Sequence, residues 1–152
     1  MDGAGKVLLY RGRGGIDKLI EWQTRSIYSH AALLYPNGLT VIESEQGYGV
    51  RRRVFDDSEW ADRFAVDGMT AAQWDAAFKF AENEIGCGYD YRSVARFLTR
   101  RTAGSPTRWF CSELVFAALR VAGVKLLNRI YDWEVAPGHL ALSTRLTLAA
   151  AF

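Results

Sequence analysis

The chain has two cysteines, Cys87 and Cys111, and two histidines, His30 and His139, in 152 residues. Two thiols cannot build the disulfide framework of a small secreted scaffold. Nor do the two cysteines and two histidines have the paired spacing of a zinc site. No run approaches the roughly 18 consecutive apolar residues of a membrane span. The apolar-rich tail from Leu140 to Phe152 is broken by Ser143, Thr144 and Arg145. The first residues, Met1 to Lys6, lack the basic stretch and apolar run of a secretory signal. Charge of one sign is also lacking: the net charge is +2, so no global field points to nucleic acid. These absences lead us to expect a cytoplasmic protein with no metal and no cofactor.

What is present fits one compact domain over residues 1–152. Hydrophobic residues make up 49% of the chain and aromatics 13%, enough for a sizeable core. Lys6 to Tyr10 reads as a buried strand, ended by the turn Arg11-Gly12-Arg13-Gly14-Gly15. Ile16, Leu19, Ile20 and Gln23 follow at helical spacing. Ala31 to Tyr35 and Leu39 to Ile42, joined by Pro36-Asn37-Gly38, form a hairpin pattern. Gly49 to Phe55 and Asp62 to Val66 are further strands. Thr70 and Gln73 form a capping box ahead of a helix carrying Trp74, Ala77, Phe78, Ala81 and Ile85, stopped by Gly86. A helix is expected near 92–100, a loop over 102–107, and a helix from Cys111 to Ala122, closed by Gly123. There is no internal repeat. The fold class is α+β, an antiparallel sheet or small barrel flanked by helices.

Cys111 carries the chemistry. A thiol in the first turn of a helix meets amides without intrahelical partners and the positive end of the helix dipole, both of which favour thiolate. The same amides can stabilise an oxyanion. A base must come from His30 or His139. His139, in Pro137-Gly138-His139, reads as a loop residue, whereas His30 starts a strand with Ala32 and Leu34 on its face. If Asn37-Gly38 centres the hairpin, Pro36 faces Leu39, His30 falls opposite Glu45, and Glu43 is diagonal on the same face. Either carboxylate could orient the imidazole. Cys87 reads as a core thiol.

Five segments, in their order, resemble the circularly permuted NlpC-type papain-like hydrolases, in particular the YiiX-like branch. They are Tyr28-Ser29-His30-Ala31-Ala32-Leu33, Val41-Ile42-Glu43-Ser44, Gly86-Cys87-Gly88-Tyr89-Asp90-Tyr91, Phe110-Cys111-Ser112-Glu113-Leu114-Val115 and Val135-Ala136-Pro137-Gly138-His139-Leu140. Histidine precedes cysteine, as the permuted order requires. The resemblance implies Cys111 as nucleophile, His30 as base and Glu43 as third polar group, with Tyr89 and Ser112 on the oxyanion and substrate side. A cysteine in the Gly86–Tyr91 segment departs from the group's pattern.

The implied activity is hydrolysis of an amide bond, as in a thiol peptidase or amidase, with a peptide, amino-acid amide or acyl compound as substrate. A sister branch, the lecithin–retinol acyltransferase type, supplies the alternative of a lipid acyl hydrolase or acyltransferase. A non-catalytic binding module on the same fold is the third reading. Arg51-Arg52-Arg53 lies on a strand, with Arg52 opposite its neighbours. Arg92, Arg96 and Arg100 would form one helical stripe. Both clusters read as solvated surface, or else as a rim for an anionic ligand or membrane surface.

Overall fold

The computed structural model describes residues 4–12, 18, 20–22, 25–91 and 107–151. Six strands form one sheet: β1 (Lys6–Arg11), β2 (Tyr28–Leu34), β3 (Thr40–Glu45), β4 (Gly49–Val54), β5 (Ala61–Val66) and β8 (Leu146–Ala150). Their order is β4-β3-β2-β1-β5-β8, and every neighbouring pair is antiparallel. β4 and β8 stand at opposite edges, so the sheet is open, and the small-barrel alternative does not hold. Two short strands, β6 (Gly88–Tyr89) and β7 (Arg108–Trp109), pair in parallel. The helices whose full spans are described are α1 (Ala71–Asn83), α2 (Cys111–Val121) and the single turn α3 (Pro137–Leu140), which follows a 3₁₀ turn at Asp132–Glu134.

Side chains alternate across a strand, and both faces of this sheet are buried. One face carries Val7, Leu9, Ala31, Leu33, Ile42 and Val50 against Trp74, Ala77, Phe78 and Ala81 of α1 and Leu114, Val115, Ala118 and Leu119 of α2. The other carries Leu8, Tyr10, Ala32, Leu34 and Val41, closed by Phe55 and Ala61. Burial on two faces explains the unbroken apolar runs in β1 and β2. The hairpin register is the expected one, with Leu33 opposite Ile42 and Leu34 opposite Val41.

α1 begins with the capping box read from sequence. Gln73 N donates to Thr70 Oγ1 at 3.2 Å, and Thr70 N donates to Gln73 Oε1 at 2.9 Å. Ile85 lies past the helix end and is exposed, which corrects its place on the apolar stripe. Gly49, at φ +74°, is a position where a side chain would collide: a Cβ there would stand 2.2 Å from the Cys87 carbonyl oxygen. That contact lets Val50 N donate to Cys87 O at 2.9 Å. The tail contains β8, which no apolar period announces, and Pro137–Leu140 is helical, so His139 is not the loop residue expected. Of the helix expected near 16–26, Lys18, Ile20, Glu21 and Trp22 are helical. The helix expected near 92–100, with Arg92, Arg96 and Arg100, lies outside the described residues.

Candidate functional site

α2 presents Cys111 at its first turn. Glu113 Oε2 accepts from Phe110 N at 3.2 Å, and the first helical bond runs from Leu114 N to Phe110 O at 3.0 Å. The amides of Cys111, Ser112 and Glu113 therefore have no acceptor within the helix. Two buried hydroxyls pin this turn. Ser44 Oγ donates to Trp109 O at 2.6 Å, and Ser112 Oγ donates to Val135 O at 2.5 Å. The Ser112 hydroxyl is thus committed to packing, and what that residue offers an oxyanion is its main-chain N–H. Cys111 has 0% exposure, walled by Ile20, Tyr89 and Phe110. Tyr89 shares the buried cluster of the thiol.

His30 meets Glu43 in a fork of the sheet. The ladder between β2 and β3 runs through Leu34↔Val41 and Leu33↔Ile42 and stops there. Beyond it β2 stays with β1, where His30 is opposite Tyr10, while β3 stays with β4, where Glu43 is opposite Arg51. A register shift leaves Ser29 without a partner on β1, since Tyr10 pairs His30 and Arg11 pairs Tyr28. Bulges of this kind re-aim a side chain next to a site. His30 Nε2 lies 2.9 Å from Glu43 Oε2 and 3.7 Å from Glu45 Oε2. The diagonal carboxylate is the hydrogen-bond partner because the directly opposite pairing ends before reaching Glu45. The charge of Cys111 acts on the imidazole and raises the His30 pKa. With Nε2 on Glu43, Nδ1 is the nitrogen left for the sulfur.

The electrostatics follow from this geometry. Burial works against a charged His30 and is the largest single influence. The charge and hydrogen bond of Cys111, followed by those of Glu43, outweigh it and hold the pKa well above the ordinary 6.5. Glu43 is fully buried, which alone would raise its pKa. Its bonds to His30 and Arg53 overcome that and bring it down to about 2. Tyr10, with its ring 5.1 Å from the imidazole, is held above the ordinary phenol value, by burial first and then by Glu43 and Glu59.

Sequence reasoning missed the groups behind Glu43. Arg53 Nε donates to Glu43 Oε1 at 2.6 Å, and Arg51 Nε donates to the same oxygen at 3.2 Å. Arg52, on the opposite face, reaches Glu82 of α1 at 3.4 Å. The alternation along β4 is as expected, but Arg51 and Arg53 line a buried carboxylate rather than a free rim. His139 Nδ1 accepts from Ala136 N at 3.0 Å, a capping role in α3. Cys87, half-buried against the core, donates to Glu84 Oε2 at 3.4 Å, and burial and then that carboxylate push its pKa up.

No family model matches the chain, and neither does any curated protein sequence. A solved structure described as metalloprotein yiiX, from Escherichia coli O157:H7, is similar at 18% identity with a TM-score of 0.74. The match covers 98% of this chain and 97% of that one. The chain thus has a YiiX-like fold, an α+β architecture with an open antiparallel sheet.

His30, Glu43 and Glu45 bring three potential ligand atoms within 4.8 Å of one another. They do not suit a divalent cation. Glu43 Oε1 already accepts from two guanidinium groups, Oε2 accepts from Arg53 Nη2 at 3.3 Å and faces His30, and an ion there would meet two arginine charges.

Proposed function

We propose that this protein is a cysteine hydrolase of the circularly permuted NlpC-type papain-like class, a peptidase or amidase that cleaves amide bonds through an acyl-enzyme on Cys111. The observation that carries the reading is one constellation from three separate segments: the Cys111 thiol at a helix start, an imidazole whose basicity it raises, and Glu43 bonded to that imidazole at 2.9 Å. The raised basicity of His30 suits a thiolate–imidazolium pair.

In this mechanism the Cys111 sulfur attacks the substrate carbonyl carbon, forming the C–S bond while the carbonyl π pair moves to oxygen. The N–H groups of Cys111 and Ser112 receive that oxyanion. The intermediate collapses, the C–N bond breaks, and His30 gives its proton to the departing amine. Water then enters, His30 takes its proton, hydroxide adds to the thioester, and the C–S bond breaks to release the acid and the thiolate. Glu43 holds the imidazole throughout, as the third group does in a triad. Because Cys111 has no exposure, acylation requires the wall of Ile20 and Tyr89 to give way to substrate.

The apolar wall of Ile20, Phe110 and Tyr89 favours a second reading, in which the acyl group is fatty and the enzyme is a lipid acyl hydrolase or acyltransferase. One experiment tests both readings: a panel of aminoacyl amides and fatty acyl esters, read by turnover and by intact mass, with Cys111→Ala as blank. Turnover with an acyl adduct on Cys111 supports a hydrolase, and the productive arm chooses the substrate. Absence of turnover and adduct in both arms, with Cys111 alkylated no faster than in unfolded chain, leaves the binding-module reading.

A further inference from the structure

The groups around His30 come from four strands or helices: Cys111 from α2, Glu43 and Glu45 from β3, Tyr10 from β1, and Arg51 and Arg53 from β4. Arg53 is the best held of them. Its Nε–Nη2 edge grips Glu43, Nε to Oε1 at 2.6 Å and Nη2 to Oε2 at 3.3 Å. Its Nη1–Nη2 edge grips Glu59 at 2.6 and 2.8 Å, and Nη1 also donates to Val54 O at 3.0 Å. Nη2 further approaches the Tyr10 hydroxyl at 3.4 Å. A guanidinium held on two edges is fixed in both position and rotation, and it fixes the carboxylate it forks.

An unsupported carboxylate in this buried place would cost several kcal/mol or take up a proton, and a protonated Glu43 would compete as a donor with the His30 ring N–H. A bare carboxylate at 2.9 Å from Nε2 would have the opposite fault: its uncompensated charge would make the imidazole so basic that the Nδ1–H is a poor proton donor to a leaving group. The guanidinium removes both difficulties, because it keeps Glu43 an acceptor and offsets its charge.

We propose that Glu43 and Arg53 act as one unit, a charge-compensated acceptor for the His30 Nε2–H, with Arg53 the positioning residue that sets its orientation. Glu59 anchors the far edge of the guanidinium. Arg51, whose Cζ lies 3.8 Å over the Tyr48 ring, is a second and less constrained contributor. The inference rests on the reading of Cys111 and His30 as nucleophile and base. It goes further by making the two charged residues non-additive.

The test is a cycle of Glu43→Gln, Arg53→Gln and the double variant, together with Arg53→Lys, each checked for cooperative thermal unfolding. Two readouts are taken: the His30 imidazole titration by NMR, and kcat/KM against pH for Cys111-dependent hydrolysis. Arg53→Gln uncovers the Glu43 charge and moves the His30 titration and the rate profile to higher pH. Glu43→Gln leaves the guanidinium facing the imidazole and moves them to lower pH. The double variant departs from the sum of the two single shifts and exceeds Glu43→Gln in kcat/KM by about tenfold. Arg53→Lys keeps the titration near wild type but loses about tenfold in kcat, because an ammonium cannot fork. Additive effects, or a His30 titration unmoved by Arg53→Gln, overturn the unit. Should Arg53→Gln fail to fold, Arg53→Lys decides: wild-type kcat overturns the proposal and its loss upholds it. If the wild-type protein shows no Cys111-dependent turnover, the hydrolase reading falls alone. The His30 titration across the same variants then upholds the unit by its non-additivity or overturns it by additivity.

Discussion

Ser44 Oγ donates to the Trp109 carbonyl at 2.6 Å, and this bond sets the distance between the carboxylate arm of the site and its thiol arm. Ser44 follows Glu43 on β3, and Trp109 stands two residues before Cys111. The hydroxyl is fully buried, so Ser44→Ala removes a donor where water cannot replace it. The Trp109 carbonyl keeps a second partner, Asp90 N at 3.1 Å, and is not orphaned. The expected loss is therefore the modest one of about 1 kcal/mol, rather than the larger penalty of an unsatisfied buried group. Urea unfolding reads that loss. The proposed hydrolysis should fall by more than the stability change explains, because the two arms lose their alignment.

The acid side of the stability profile belongs to Glu43. Its folded pKa of about 2 is below the ordinary 4.5, so its contribution is present above pH 4.5 and is lost as pH falls toward 2. The span is on the order of 3 kcal/mol. His30 has the opposite sign. Raised well above 6.5, it contributes fully below pH 6.5 and loses that contribution as pH rises through its folded pKa. Urea midpoints at pH 3, 4.5 and 7 should show wild type weakening from 4.5 to 3, and Glu43→Gln weakening much less. Parallel profiles for the two proteins would contradict the assignment.

The strands and helices that face the core were legible because burial imposes a period. β1 to β5, α1 with its capping box, and α2 all announce themselves in apolar spacing or end signals. β8 does not, because four of its five residues are exposed at the sheet edge and their pattern answers to no core. α3 was hidden by Pro137 and Gly138, residues that usually mark loops. Within the candidate site, the order of the motifs singled out Cys111, His30 and Glu43, and these are the residues the fold brings together. Hairpin register leaned to Glu45 because it assumed a ladder continuing past Leu33 and Ile42. The arginines were missed for a different reason. Alternation had already put Arg51 and Arg53 on one face, but their role follows only once Glu43 is known to be buried, since a buried carboxylate requires a cation.

Gly49 and Gly47 form a matched pair for testing how β4 is delivered to the site. Both have positive φ, +74° and +82°. A Cβ at Gly47 meets nothing within 4 Å, whereas one at Gly49 would stand 2.2 Å from the Cys87 carbonyl oxygen. Gly47→Ala should cost about 1 kcal/mol, the strain of the left-handed backbone alone. Gly49→Ala carries the same strain and must also displace main chain at the start of the strand that bears Arg51 and Arg53. Its cost should exceed that of Gly47→Ala by at least about 1 kcal/mol. Equal thermal shifts would mean that the Gly49 approach is not as tight as described.

Replacing Cys111 by Ala tests the thiol–imidazole contact without any substrate. Cys111 packs among Ile20, Tyr89 and Phe110, and losing one sulfur there should leave the fold intact at a cost of about 1 kcal/mol. For His30 the effect is larger in kind. The charge and hydrogen bond of Cys111 are the foremost influences raising its pKa, and burial opposes them. With the sulfur gone, Glu43 alone faces that burial, and part of its charge is already taken up by Arg51 and Arg53. The His30 ring resonances should therefore titrate at lower pH in Cys111→Ala than in wild type. An unmoved His30 titration would mean that the sulfur is not its partner, and the nucleophile and base would have to be sought elsewhere in the chain.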